Sequence, residues 1–266
     1  MTGPIAADLL RAVGESCREA GTLALDLFRP GATTAARIWS KSGGSPVTEA
    51  DIGVDTFLRI RLSELLPEAA WLSEETVDDA QRLSRRFVWV VDPIDGTRAF
   101  ISGIPVWGTL IGLTRNGVPV YGMMHQPFSG ERFSGDGREA RYEGPGGPKK
   151  LRTRPTTDLA TATLMTTTPA LFKGEEAEAF ARVEKEVRLS RYGCDCYAYC
   201  MLAAGHVDLV IESGLKPYDI VALIPIIEGA GGIVTSWDGG SAAGGGRILA
   251  AGNKALHEAA MALLAG

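Results

Sequence analysis

The sequence predicts an α/β protein of the mixed, α+β kind, and three observations carry that expectation. Beyond residue 150, strand-like and helix-like segments alternate, the pattern of an α/β lobe. Residues 106–133, "VWGTLIGLTRNGVPVYGMMHQPFSGERF", place Asn116-Gly117 between two apolar runs, the strongest hairpin signal in the chain. Residues 5–28 put Ile5, Leu9, Leu10, Val13, Leu23, Leu27 and Phe28 at helical spacing and stop before Pro30 and Gly31. At 266 residues the chain is long enough for one large domain or two small lobes.

The elements follow in order. After the first helix, "KSGGSP" (41–46) is small, polar and glycine-rich, and reads as a mobile loop. A second helix starts at Thr48, whose hydroxyl can cap it, with Ile52, Val54, Phe57, Leu58, Ile60, Leu62 and Leu65 as its apolar face. "AAWLSEE" reads as a short strand ending on Glu74 and Glu75. The stretch "ETVDDAQRLSRR" (75–86) fits helix and loop equally. A strand then runs from Phe87 to Asp92. The loop-rich "GDGREARYEGPGGPKK" marks a boundary near 150, dividing an N-terminal lobe (1–150) from a C-terminal lobe (151–266). In the latter the expected segments are 163–167, 175–186, 196–204, 209–211, 220–230 and 232–235.

Composition narrows the function. The formal charge is −5 and no basic stripe is present, which argues against nucleic acid as a partner. Lys149, Lys150, Arg152 and Arg154 read as a solvated loop. The N-terminal stretch carries acids and arginines through its apolar positions, unlike a signal peptide, and no apolar run is long enough to span a bilayer. Of four cysteines, Cys194, Cys196 and Cys200 crowd one segment without a CxxC pair, so they read as small buried hydrophobes rather than zinc ligands or disulfides. A reduced, cytoplasmic setting is expected.

The chemistry gathers in "VVDPIDGTRAF" (90–100). Asp92 ends a buried strand, Pro93 fixes the backbone, and Asp95 follows on the turn. Two carboxylates held this close repel unless a cation lies between them. Oxygen donors without nearby His or Cys favour a hard ion, Mg²⁺ or Mn²⁺. The Ile94 carbonyl faces the same space, and Gly96 and Thr97 offer amides to an anion. The competing reading is that the two aspartates only cap and turn. His125, His206 and His257 lie away from this motif, so no Ser–His pairing is suggested.

Four stretches in order, "GSPVTEAD" (44–51), "WLSEE" (71–75), "WVVDPIDGTRAF" (89–100) and "LKPYDIVALIPIIEGAGG" (215–232), resemble the inositol monophosphatase-like family. The resemblance implies a layered α/β/α/β/α sandwich, Li⁺-sensitive phosphomonoester hydrolysis, and dependence on two or three Mg²⁺. Position by position, it implies Glu74, Asp92 and the Ile94 carbonyl as ligands of one ion, and Asp92, Asp95 and Asp219 as those of a second. Glu74 is also implied near a third. Asp51 and Thr97 match the pair that orients and deprotonates an attacking water, in an in-line reaction with no phosphoenzyme. Asp95, Gly96, Thr97 and Asp219 are implied on the substrate side as well. Lys41 is a candidate for phosphate contact, with a solvated side chain as the alternative. The family also implies a homodimer.

The substrate is expected to be set by "YGCDCYAYCMLAAGHVDLVIESGLKPYD" (192–219). Asp195 stands where inositol-directed members tend to carry a small residue, and Glu212 matches a position that contacts the leaving group. Two carboxylates without a local arginine suit a cation such as histidinol better than a second phosphate. "GCDCYAY" and "SGLKPYDI" resemble the histidinol-phosphatase branch, which implies hydrolysis of L-histidinol phosphate. An inositol-1-phosphatase or a broad sugar-phosphate phosphatase is the alternative. Asp195 as a helix N-cap competes with substrate contact, and Asp208 reads as structural. A binding protein of the same fold would tolerate loss of the acidic ligands and favour a basic face, so the acidic positions here favour an enzyme.

Overall fold

The computed structural model describes residues 5–28, 37–40 and 46–266. Lys41 and most of the "KSGGSP" loop lie outside the described residues. In chain order the first half comprises α1 (Ala7–Leu27), β1 (Ile38–Ser40), β2 (Pro46–Thr48), α2 (Glu49–Leu65), β3 (Ala70–Ser73), β4 (Phe87–Asp95), α3 (Thr97–Ile101), β5 (Gly108–Arg115), β6 (Val118–Gln126), β7 (Glu131–Gly135), β8 (Ala140–Glu143) and β9 (Lys149–Lys150). The second half comprises β10 (Thr163–Thr166), α4 (Glu175–Glu186), β11 (Leu189–Tyr192), α5 (Asp195–Ala203), β12 (Leu209–Leu215), α6 (Pro217–Ile220), α7 (Leu223–Gly229), β13 (Ile233–Ser236), β14 (Gly246–Ala251) and α8 (Lys254–Ala265).

These elements stack as an α/β/α/β/α sandwich. The pair α1/α2 covers one face of a seven-stranded sheet, β3 to β9 in chain order, in which β3 and β4 are parallel and the other pairs antiparallel. Val13, Cys17, Ala20 and Ala24 of α1 and Val54, Leu58 and Leu62 of α2 meet Trp89, Trp107 and Ile111 in that layer. Ile52 and Ile60, expected on the apolar face of α2, turn out half-exposed, because the buried stripe is carried by the i, i+4 series 54, 58, 62. Helices α5, α6 and α7 fill the centre, and β11-β10-β12-β14-β13 form the second sheet, covered outside by α4 and α8.

A ladder of glycines seats the central layer. Gly112, Gly122 and Gly135 are register neighbours across β5, β6 and β7. A Cβ on Gly112 would lie 2.8 Å from Val221, one on Gly122 1.7 Å from the Ala222 carbonyl oxygen, and one on Gly135 2.4 Å from that of Pro225. The segment just after Asp219 therefore rests directly on the sheet backbone.

Several expectations are refined. The 75–86 stretch is a turn followed by a short 3-10 helix, Ala80–Ser84, capped by Asp79. The loop-rich 135–150 stretch contains two short strands, β8 and β9. The expected C-terminal segments all exist, but β11, β14 and α8 escaped the periodicity reading. All four cysteines are free, and Cys17, Cys196 and Cys200 are buried.

Candidate functional site

Strand β4 carries the site because it is irregular. In a regular strand, residues three apart face opposite sides. Here Asp92 pairs with Leu110 and Asp95 with Gly108, so β4 uses one residue more than β5. This bulge turns both carboxylates to the same side. Pro93 sits within it, supplying no ladder donor, and its carbonyl accepts from Thr109 Oγ1 at 2.9 Å. Asp92 Oδ1 accepts from the Ile94 amide at 3.1 Å, so the side chain makes the expected turn contact within the bulge.

Asp219 joins them from α6, where its Oδ2 accepts from the Lys216 amide at 2.6 Å. One carboxylate oxygen each from Asp92, Asp95 and Asp219 lie within 4.8 Å of one another. Glu74 stands next to Asp92 because β3 and β4 are parallel with Ser73 opposite Val91, and the Glu74 amide donates to the Val91 carbonyl at 3.3 Å. It lines the same cavity, whereas Glu75 does not.

Electrostatics favour a cation in this cluster. Burial first, then the charges of Glu74, Asp95, Asp219 and Asp51, push the Asp92 carboxyl well above its ordinary range. Asp95 is raised in the same way, by burial and then by Asp195 and Asp219. Burial, with the charge of Glu74, lifts Asp219 to about 7. Oxygen donors of like charge at this spacing fit a hard divalent ion, which would hold all three ionised.

Asp51 and Thr97 also meet. Asp51 closes a capping box at the start of α2: its Oδ2 accepts from the amide and hydroxyl of Thr48. Its Oδ1 faces Thr97 Oγ1 at 3.3 Å, and the same hydroxyl lies 3.1 Å from the Ile94 carbonyl oxygen. Burial raises the Asp51 carboxyl despite the Thr48 bonds. Gly96 bridges the strand and α3 at φ 85°, where a Cβ would meet Asp195 Oδ2 and Trp107 Cα, each at 3.2 Å.

A cavity of about 300 Å³ joins these groups to the C-terminal half, with Thr167, Asp195, Tyr199 and Glu212 on its far side. Glu212 Oε1 accepts from the Thr167 amide at 2.6 Å, and burial lifts the carboxyl to about 8. Asp195 opens α5 at φ 44°, and its side chain caps nothing: the N-cap is Cys194, and the amide of Cys196 donates instead to Asp95 Oδ1 at 2.8 Å. The N-cap reading of Asp195 is thus replaced. The expectation of a cavity without a local arginine is also corrected, since Arg98 lines it and its charge acts on Asp195.

Sequence reasoning overlooked Arg98, Thr167 and Tyr199. Arg98 lay inside the quoted motif, and Tyr199 stands four residues after Asp195, one helical turn along α5. Thr167 carried no signal, because only the fold brings its amide to Glu212 and its hydroxyl to Asp195. Trp89 and Trp107 are core residues, and His125 is buried against the Cys17 carbonyl at 3.2 Å.

The five-layer sandwich and the acidic cluster at its bulged strand end match a class of phosphatases that act on small phosphate esters. The inositol monophosphatase family profile matches residues 7–265, and the chain belongs to that family, whose members are generally Mg²⁺-dependent. It is 43% identical over 234 residues to the chloroplastic bifunctional phosphatase IMPL2 of Arabidopsis thaliana, covering 84% of this chain and 66% of that protein. It is 34% identical over 227 residues to the histidinol-phosphatase of Mycobacterium tuberculosis, covering 84% of this chain and 85% of that one. Among solved structures, an inositol monophosphatase from Zymomonas mobilis superposes with a TM-score of 0.84 at 37% identity, covering 98% of this chain and all of that one. Among the described residues no helix is long and apolar enough to cross a membrane.

Proposed function

We propose that the protein hydrolyses L-histidinol phosphate to L-histidinol and phosphate. The observation that carries this reading is the second pair of carboxylates, Asp195 and Glu212, across the cavity from the metal cluster. Between them they suit a leaving alcohol that bears an ammonium and an imidazole. The histidinol-phosphatases among the relatives support the same substrate. The bifunctional relative, the inositol monophosphatase of similar structure and the presence of Arg98 favour inositol-1-phosphate or a broader range as the second reading.

Asp92, Asp95, Asp219, Glu74 and the Ile94 carbonyl would hold two or three Mg²⁺. When bound, Mg²⁺ supplies Lewis-acid chemistry that neutralises phosphate charge. The chain's own residues do the rest. The Thr97 oxygen accepts a hydrogen bond from a water, while its proton points to Asp51 or Ile94, which fixes the direction of attack. Asp51 takes the water's proton as the new P–O bond forms. The ester P–O bond breaks on the opposite side, and the departing alkoxide gains a proton from solvent. Gly96 leaves room for the phosphate by lacking a Cβ. We place the site between lobes 1–150 and 151–266 of a cytoplasmic homodimer.

Phosphate release with Mg²⁺ from histidinol phosphate, inositol-1-phosphate and phosphoadenosine phosphate tests the reading. A kcat/KM for histidinol phosphate higher by about two decades, worth roughly 3 kcal/mol of transition-state discrimination, is expected. Equal values would withdraw the substrate and leave the phosphatase.

A further inference from the structure

The cavity holds two buried polar atoms with no hydrogen-bond partner among the described residues: Glu212 Oε2 and Tyr199 Oη. Both residues are core-like, 1% and 3% exposed. The Thr167 amide holds Oε1 of Glu212 at 2.6 Å, which leaves Oε2 as the oxygen without a partner. Tyr199 follows Asp195 by one turn of α5. Burial, and then the charges of Glu212, Asp95 and Asp219, keep its phenol protonated. A buried hydroxyl without a partner costs free energy, and phenylalanine would fill the same volume without that cost. The cavity therefore leaves one carboxyl oxygen and one hydroxyl for its occupant to pair.

We propose that Tyr199 is a specificity-determining residue, receiving with Glu212 Oε2 a leaving group that offers one N–H donor and one lone-pair acceptor on a rigid frame, the chemistry of a neutral azole ring. This rests on the substrate reading above and adds a residue to it. With the Glu212 carboxyl ionised beside the bound ammonium, its Oε2 accepts the ring N–H, and the Tyr199 hydroxyl donates to the unprotonated ring nitrogen. Asp195, on the same helix, meets the ammonium.

The test compares wild type and Tyr199→Phe with Mg²⁺ on histidinol phosphate and on the ring-free ester β-glycerophosphate. For histidinol phosphate the variant raises KM about 10- to 50-fold with kcat within about threefold, and for β-glycerophosphate both constants stay within about threefold. Unchanged β-glycerophosphate turnover also shows that fold and metal cluster are intact. A variant that keeps the wild-type KM for histidinol phosphate, or that weakens both substrates equally, overturns the role of Tyr199 alone. A wild type with no preference for the ring-bearing ester overturns the substrate reading and this inference with it.

Discussion

The amide of Cys196 donates a 2.8 Å hydrogen bond to Asp95 Oδ1, joining the bulged strand of the first sheet to the start of α5, 101 residues away. One carboxylate thus caps a helix and belongs to the acidic cluster, and the two roles separate by substitution. Asp95→Asn keeps an oxygen for the Cys196 amide and loses the charge. It should cut phosphate release at least about 10³-fold, by analogy with loss of a charge-stabilising group, while its melting temperature without Mg²⁺ stays at or above wild type. Asp95→Ala removes the cap as well and should melt lower, by about 1 kcal/mol of stability. Thermal melts in chelator and a phosphate assay on both variants check this; normal turnover by Asp95→Asn would sink the metal assignment.

The same cluster sets a pH dependence. Carboxyls raised in the folded state, Asp219 to about 7 and Glu212 to about 8, bind protons that the unfolded chain has released. Without metal, stability therefore falls as pH climbs from the ordinary carboxylate range through those values. A divalent ion that holds Asp92, Asp95 and Asp219 ionised reverses the loss and releases protons on binding. Saturating Mg²⁺ should raise the melting temperature by roughly 5 °C or more at pH 8 and much less at pH 5. An equal shift at both values would show that the ion binds elsewhere.

Asp208 has the opposite sign. Burial alone would raise it, but Arg154, the Thr163 amide at 2.7 Å and the Thr156 hydroxyl outweigh that and hold it below the ordinary range. Its contribution is present above the unfolded carboxyl range and disappears as pH falls through the lower folded value. Asp208→Asn should lose about 1.5–3 kcal/mol at neutral pH, the scale of a hydrogen bond to a charged group. The gap to wild type, followed by denaturant melts, should close below about pH 4.

The glycine ladder gives a steric prediction. Gly122→Ala would drive its Cβ to 1.7 Å from the Ala222 carbonyl oxygen, so the segment carrying Asp219 must lift off the sheet. Little folded protein should be recovered, or a melt lowered by more than roughly 10 °C with weakened Mg²⁺ binding. Gly53, on the exposed side of α2 with nothing within 4 Å of a built Cβ, is the control. Gly53→Ala should gain about 0.5–1 kcal/mol.

What was legible in the sequence divides along this line. Local chemistry was: Thr48 as a cap, Asn116-Gly117 as a turn, and the D-P-I-D-G-T run, because each acts within a few residues. Tertiary provisions were not. The Gly112, Gly122 and Gly135 alignment depends on strand register, which spacing along one strand cannot give. The Cys196–Asp95 bond depends on bringing together residues 101 apart in the chain. Strand β11 has an exposed, non-alternating burial pattern, and α8 is an alanine-rich helix whose packing face is set by α4. Arg98 was read as part of a motif rather than as a charge facing Asp195, since only the fold places them across one cavity.

Arg98 supplies the prediction most sensitive to substrate charge. It lines the cavity, is exposed, and its charge opposes the effect of burial on Asp195. Arg98→Gln leaves Asp195 and Glu212 in the cavity without a competing cation. The KM for an ammonium-bearing ester such as histidinol phosphate should then fall about threefold, and that for a doubly anionic ester such as fructose bisphosphate should rise by a similar factor. Raising ionic strength should shrink both effects, because the guanidinium is solvent-facing. If both constants rise together, Arg98 serves the transferred phosphate common to the two esters, and the opposition between Arg98 and Asp195 plays no part in choosing between them.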